Sequence, residues 1–104
     1  MTYNATRYTV IVMIQSFKED DVRVLFETRE SKRWRPIVAV ALRKLDQMEA
    51  ALSLSDLRVP PGNRLEALKG NRIGQHSIRI NDQYRLCFKW KADGAHDVEI
   101  VDYH

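Results

Sequence analysis

The chain has 104 residues, the size of one small domain, and we do not expect it to divide into more than one. A hydrophobic content of 44% is typical of a globular protein, and the absence of low-complexity tracts excludes extended disorder. A domain of this length buries roughly 65% of its unfolded surface, which is enough for one core.

The net charge of +3 is small but unevenly distributed. Residues 58–91 carry eight Lys and Arg against two Asp and Glu, whereas residues 92–104 carry four acids and no Lys or Arg. Residues 1–57 are nearly balanced, with nine basic and eight acidic side chains. A basic segment of this kind is typical of a polyanion-binding surface, but an ordinary solvated surface is charged as well. Charge alone therefore leaves nucleic-acid binding open.

Cysteine usage and hydropathy indicate the compartment. Cys87 is the one cysteine of the sequence, so no intramolecular disulfide is possible and a reducing compartment is favoured. The apolar run at residues 10–14 is shorter than the apolar region of a signal peptide and far shorter than a membrane span. We therefore expect a cytoplasmic protein that makes no membrane contact.

The N-terminal half predicts one strand and two helices. We interpret residues 1–12 as a loose extension and residues 13–104 as the domain. β-Branched residues predict a strand over Val10–Phe17, and apolar spacing predicts a short helix over Glu19–Thr28. A second helix is predicted over Pro36–Leu52, because proline suits a first helical position. Its apolar stripe consists of Ile37, Ala41, Leu45, Met48 and Leu52.

The C-terminal half predicts an antiparallel meander. A connector over residues 53–63 contains two adjacent prolines and a glycine, so it cannot continue a helix. Four short runs with period-two alternation follow, separated by turns at residues 69–74, 81–82 and 92–94. The predicted strands are Arg64–Leu68, Gln75–Ile80, Gln83–Lys91 and Ala95–Val101. The fold class is therefore α+β, in the order β-α-α-β-β-β-β, with both helices on one face of the sheet.

Familiar catalytic motifs are absent from the sequence. There is no phosphate-binding glycine loop, no Cys/His metal pattern and no Ser-His-Asp spacing, so we expect neither a metal nor a cofactor. His76 is in phase with Ile78 and Ile80, which favours a half-buried packing residue. Nothing in its surroundings marks Cys87 as a nucleophile.

Three features do point to a site. Arg85 lies in the middle of a strand among apolar neighbours, where a cation needs an anionic partner or ligand. Glu66 interrupts a facing apolar run in the same way, and Asp102, Tyr103 and His104 bring an acid, a phenol and an imidazole together. Two simpler interpretations remain open, namely a structural Arg–Glu ion pair and a frayed polar tail.

A resemblance to a known family extends this interpretation. Residues 64–85 read RLEALKGNRIGQHSIRINDQYR, which strongly resembles the RelE-type toxin superfamily and its HigB branch, the plasmid-maintenance killer proteins. Residues 13–18 resemble the beginning of that family, and residues 101–104 resemble its end. The likeness covers residues 13–104 and leaves the first twelve residues outside it.

The resemblance implies the toxin of a type II toxin–antitoxin pair. Such toxins enter the ribosomal A site and cut the message without a metal, when a ribose 2′-OH attacks the adjacent phosphate. The implied partners are a HigA-like helix-turn-helix antitoxin, the small ribosomal subunit and mRNA. Contact with DNA would be made only through the antitoxin.

The resemblance also implies site residues, by their positions in the family pattern. Lys69 and Arg85 are implied to hold phosphate, and Asp102, Tyr103 and His104 to transfer and orient protons, with His104 as the foremost acid or base. We expect the cations of the basic meander to bind RNA: Arg64, Lys69, Arg72, Arg79 and Arg85.

The chain departs from the family pattern at one position. Where some members have histidine, in the pattern Leu-His-Pro-Leu-Lys-Gly, this chain has Glu66. A carboxylate beside Arg85 suits a base rather than an acid, and it partly repels phosphate. A slowly cleaving or non-cleaving toxin that binds the ribosome or its assembly intermediates is therefore the alternative.

Overall fold

The computed structural model describes residues 11–103. Two helices, α1 (Asp20–Thr28) and α2 (Val38–Ala50), pack on one face of a four-stranded antiparallel sheet. The strands are adjacent in chain order and comprise β1 (Glu66–Ala67), β2 (His76–Arg79), β3 (Tyr84–Lys91) and β4 (Gly94–Asp102). The predicted α+β architecture, with both helices on one face, is confirmed.

Both helices lie close to their predicted positions. A 3₁₀ turn at Arg35–Ile37 contains Pro36 and leads into α2. The prediction that Leu52 belongs to the apolar stripe of α2 is wrong, because the helix ends at Ala50 and Leu52 is 76% exposed. Asp56 explains the early end, since its carboxylate accepts a hydrogen bond from the Leu52 amide and holds the chain in a turn. The other four members of the stripe, Ile37, Ala41, Leu45 and Met48, are buried.

The first predicted strand is not regular. Val10 lies outside the described residues, and the rest of the segment forms only an isolated parallel bridge between Phe17 and Val98 of β4. Amides of the segment still bond to β4, as from Gln15 N to the Ala95 oxygen at 2.7 Å. The edge of β4 is kinked at Asp97, where φ is +53°, so a continuous ladder does not form.

The meander follows the predicted order with shorter strands. β1 covers only Glu66–Ala67 of the predicted Arg64–Leu68, because Arg64 adopts φ +47° after a 3₁₀ turn at Pro61–Asn63. Another 3₁₀ turn, Gly70–Arg72, connects β1 to β2. The division of the chain at residue 12 stays a prediction, since residues 1–10 lie outside the described part.

Strand register gives the sheet two different faces. On the covered face, the paired residues Ile78, Leu86 and Ile100 pack against the helices and form the centre of the core. The adjacent row points away from the helices, and we call that side the open face. Within residues 11–103 neither helix is long and apolar enough to cross a membrane.

Candidate functional site

One row of polar side chains crosses all four strands of the open face. Register pairs Glu66 with Ser77, Ser77 with Cys87, and Cys87 with Glu99. Residues directly opposite in antiparallel strands project from the same face, so these four side chains form a continuous band. Ser77, Cys87 and Glu99 are buried, whereas Glu66 at the short edge strand is exposed. The band therefore opens to solvent at its β1 end.

Arg85 lies beside the exposed end of this band. Its Nη1 donates to Glu66 Oε1 and to Ser77 Oγ, both at 3.3 Å. Its Cζ lies 5.3 Å from the centre of the Tyr103 ring, within cation–π range. Only 17% of the Arg85 side chain is exposed, against 52% for Glu66. The guanidinium is thus held between a carboxylate and a phenol, with part of its surface accessible.

Tyr103 follows the end of β4, and a backbone hydrogen bond to the start of β3 fixes its position. Its backbone N–H donates to the Gln83 carbonyl at 2.6 Å, which extends the pairing of β3 and β4 past Asp102. Burial raises the pKa of the phenol above its usual value, and the neighbouring Cys87 thiol adds to this effect. The phenol therefore keeps its proton at neutral pH and can act as a proton donor.

A second ion pair occupies the far end of the band. Glu99 is only 7% exposed, and its Oε2 accepts from Arg72 Nη1 at 3.1 Å and lies 3.5 Å from Lys18 Nζ. Arg72 also donates to Gln75 Oε1 at 3.0 Å. The hydrogen bond to Glu99 raises the pKa of the Arg72 guanidinium. The charge of Arg72 is therefore already compensated by Glu99, which weakens Arg72 as a phosphate ligand.

Cys87 and His76 have packing roles. Burial raises the pKa of the Cys87 thiol to about 11, so it remains neutral, as expected for a cysteine that is not a nucleophile. His76 projects from the covered face, where its ring stacks on Phe88 with centroids 6.3 Å apart. It is half-buried, in agreement with the interpretation of its position in the strand.

Three further residues were predicted to bind phosphate, namely Arg64, Lys69 and Arg79. Arg64 and Lys69 are exposed on either side of β1, and neither has an ion-pair partner among residues 11–103. Arg79 is paired with Asp82, and register places it directly opposite Arg85 on the open face. Their roles in binding RNA stay predictions.

The C-terminal triplet is divided. Asp102 is opposite Tyr84, so strand alternation places its side chain on the other side of the sheet from Arg85. Its Oδ2 accepts from Gln83 Nε2 at 3.1 Å. His104 lies outside the described residues, so its predicted role stays a prediction. The structure therefore brings Glu66, Arg85 and Tyr103 together, but not Asp102.

Sequence reasoning missed the buried members of the band. Ser77 and Glu99 share a row with Cys87, which becomes visible only once the strands are placed in register. The one signal available in the sequence was period-two alternation: Glu99 lies between the apolar Val98 and Ile100, so its side chain projects from the opposite face to theirs. Among residues 11–103, no group of three or more His, Cys, Asp or Glu side chains is placed to hold a metal ion.

Comparison with known proteins gives the same family as the sequence motifs. A family model described as RelE-like toxin of type II toxin-antitoxin system HigB matches residues 15–104. Toxin HigB-1 of Vibrio cholerae is 43% identical over 94 residues, covering 88% of this chain and 98% of that protein. Endoribonuclease HigB of Proteus vulgaris is 28% identical over 98 residues, covering 88% of this chain and 100% of that protein.

Among solved structures, the YoeB/ParE toxin of Agrobacterium tumefaciens is similar, with a TM-score of 0.49 and 17% identity. That similarity covers 90% of this chain and 99% of the other. The family model extends over most of the chain, and the resemblance expected from residues 64–85 is confirmed. The chain belongs to the HigB-like family of RelE-like toxins of type II toxin–antitoxin systems.

Proposed function

We propose that this protein is a ribosome-dependent mRNA endonuclease that inhibits translation and growth. The observation that carries the proposal is the position of Arg85, between the Glu66 carboxylate and the Tyr103 phenol on the open face. These are the three kinds of group that cleavage of RNA by its own 2′-OH requires. A relative named Endoribonuclease HigB supports RNA as the substrate.

Arg85 would bind the scissile phosphate. A guanidinium presents several N–H donors in a fixed plane, and it stabilises the extra negative charge that develops on the phosphorane oxygens. Hydrogen bonding to Ser77 and contact with the Tyr103 ring hold the Arg85 side chain in place before RNA arrives. Pre-positioning of this kind lowers the cost of organising the site in the transition state.

Glu66 and the C-terminal residues would transfer the protons. The Glu66 carboxylate would accept the proton of the attacking 2′-OH as the bond between 2′-O and phosphorus forms. As the bond from phosphorus to the 5′-oxygen breaks, the protonated Tyr103 phenol or His104 would donate a proton to the leaving oxygen. The products are a cyclic phosphate and a 5′-OH, with no metal required. Asp102 would act indirectly, because it contacts Gln83, whose carbonyl binds the Tyr103 amide.

Exposure of the site supports a role for the ribosome. Tyr103 is 40% exposed and Glu66 lies at the edge of the sheet, so the described part of the site is a shallow surface. A shallow surface cannot by itself hold a flexible single strand in an attack geometry. The A site of the small subunit would hold the message, and Arg64, Lys69, Arg72 and Arg79 would contact phosphates around it.

Membership in a type II family implies an antitoxin partner. We propose that this partner is HigA-like, with a helix-turn-helix domain, and that the toxin reaches DNA only through it. A protein that acts on translating ribosomes would work in the cytoplasm.

The direct test is primer extension on a translated message with purified protein. We expect new 5′ ends within codons when ribosomes are translating, and none on the same RNA without ribosomes. Treatment of the purified protein with a chelator, before it is mixed with pre-assembled ribosome complexes, should leave the cuts unchanged. Cleavage of free RNA at an equal rate would contradict ribosome dependence.

A second candidate function is a toxin that occupies the ribosome, or an assembly intermediate, without cutting. The hydrogen bond between Glu66 and Arg85 favours it, because the carboxylate neutralises part of the charge offered to phosphate. Growth arrest with intact messages would support this candidate and contradict the nuclease. Removal of His104 separates the two as well, because only the nuclease is expected to lose toxicity.

A further inference from the structure

A second group of cations lies beyond the end of β2. Lys44 of α2 is half-buried, and its Nζ donates to Asn63 Oδ1 at 2.5 Å. Asn63 is fully buried in the 3₁₀ turn before β1, and its Nδ2 donates to Gln47 Oε1 at 2.9 Å and to the Leu57 carbonyl at 3.1 Å. Because the amide is fixed on both of its polar atoms, it holds the Lys44 ammonium in one place.

The surroundings of Lys44 are positive. The charges of Arg43 and Arg79 both lower the pKa of the ammonium, after the larger effect of burial. No carboxylate among residues 11–103 forms an ion pair with Lys44 or Arg43, and Arg43 is exposed. Lys44 is close enough to Arg43 and Arg79 to be affected by both charges. Among residues 11–103, Asp82, which pairs with Arg79, is the one acid that pairs with any of the three, so positive charge is in excess there. Such a cluster is stabilised when an anion binds.

This cluster is continuous with the candidate site. Arg79 lies directly opposite Arg85 across the pairing of β2 and β3, so both project from the open face. The turn that carries Asn63 packs against β2, and β1 pairs only with His76 and Ser77, so it does not extend along β2 as far as Arg79. A path that begins at Arg85, passes Arg79 and rounds the edge of the sheet beyond β1 would reach Lys44 and Arg43 on α2.

We infer that this path, which we call the basic track, binds phosphates of the RNA strand that flank the cleaved position. The inference rests on the proposed function, because it requires a strand to pass over Arg85. A strand cut at one phosphate carries further phosphates on both sides, at the spacing of successive nucleotides. An acidic protein would also find the charge attractive, but continuity with Arg85 favours RNA.

The test measures binding of a fluorescent single-stranded RNA at several salt concentrations. We expect Lys44→Gln combined with Arg43→Gln to weaken binding roughly tenfold at low salt. It should also make the slope of log K against log salt shallower by about 1.4, because each phosphate contact to a single strand contributes roughly 0.7. A matched control is Lys32→Gln with Arg35→Gln, which removes the same charge from exposed residues between the helices.

A second variant guards against a folding defect. Arg43→Glu reverses an exposed charge without touching the contact between Lys44 and Asn63, and it should weaken RNA binding at an unchanged melting temperature. Equal slopes for wild type and the double variant would overturn the inference, as would an equal change in the control. A loss of binding to polyglutamate, with RNA binding intact, would assign the cluster to an acidic protein and overturn it as well.

The outcomes of these experiments distinguish failure of the basic track from failure of the cleavage proposal. If the wild type cuts translated messages while the double variant keeps the full salt slope, the basic track is wrong and the nuclease stands. If the wild type makes no cuts while the double variant loses slope, the track stands as an RNA-binding surface and the cleavage proposal falls.

Discussion

Side chains on the two faces of strand β3 need different kinds of neighbour. Leu86 and Phe88 project toward the helices and are fully buried among apolar neighbours, so each makes a non-directional contribution to stability. Arg85 and Cys87 project the other way, where the guanidinium needs specific partners and the thiol is buried beside charges. One strand thus supports the core and holds a site in place.

The difference explains why the open face tolerates its charges. Burial of a charge is unfavourable unless a partner compensates it. On the open face, Arg72 pairs with Glu99 and Arg85 pairs with Glu66. The covered face provides the stability needed to keep these pairs in register. Substitutions on the covered face should therefore change stability, and those on the open face should change chemistry first.

The largest effect is expected on the covered face. Phe88→Ala should lower the free energy of unfolding by about 3–5 kcal/mol, because it removes a fully buried ring and leaves a cavity. Chemical denaturation measures the change. Lys89→Ala, at the exposed neighbouring position, should stay within about 0.5 kcal/mol. Similar losses for the two variants would contradict the assignment of faces.

The next effect is on chemistry. Arg85→Ala should slow message cleavage by roughly 10²–10³-fold, because one preorganised donor to the developing charge is lost. Its free energy of unfolding should fall by about 1 kcal/mol or less, since the ion-pair partner Glu66 is exposed. Primer extension and denaturation are measured on the same preparation. Arg58→Ala removes an exposed arginine elsewhere and should cut at the wild-type rate, so equal cleavage by both variants would refute the role of Arg85.

A third effect depends on pH. The pKa of Cys87 rises from 9.0 in the unfolded chain to about 11 in the fold, so the folded state retains the thiol proton more strongly. Stability from this source is present below about pH 9 and is lost as the pH rises toward 11, by roughly 2–3 kcal/mol. Wild type should therefore lose that much more than Cys87→Ala when both are denatured at about pH 8 and about pH 11. Parallel losses in the two proteins would show that the thiol does not contribute.

The smallest effect tests the support of Arg85. Ser77→Ala removes a buried hydroxyl that accepts from Arg85 Nη1, and should cost about 1 kcal/mol of stability. Cleavage should slow severalfold, because the guanidinium is less firmly held. Ser55→Ala changes an exposed hydroxyl and is the control for stability. A variant at Ser77 that cuts at the full rate would limit the support of Arg85 to Glu66 and Tyr103.

Local patterns in the sequence predicted most of the fold. Alternation is a property of each strand by itself, so the four strands of the meander could be recognised without knowledge of their partners. The segment before α1 was predicted to be a regular strand, but it forms only an isolated bridge, because its pairing depends on the kink of β4 at Asp97. Leu52 continued the helical period, but the competing hydrogen bond from its amide to Asp56 determined where the helix stops.

The site was predictable only in part, for a related reason. Arg85 and Glu66 interrupt apolar runs, which is a signal that one strand carries on its own. Glu99 and Ser77 become part of the site through register across several strands, and no single strand contains that information. Asp102 and Tyr103 are neighbours in sequence, but at the end of a strand adjacent residues face opposite ways.

The segment before α1 also affects how the protein meets other copies of itself. An exposed strand edge offers unpaired amides to neighbouring chains, and β4 is nine residues long. Bonds from Met13 and Gln15 cover that edge, and Gly94 permits the approach, because any side chain there would overlap the Met13 backbone. At the opposite edge, β1 has only two residues and offers few unpaired amides. A chain whose first segment came away from β4 would expose a strand long enough to template aggregation, so we expect this irregular stretch to limit self-association.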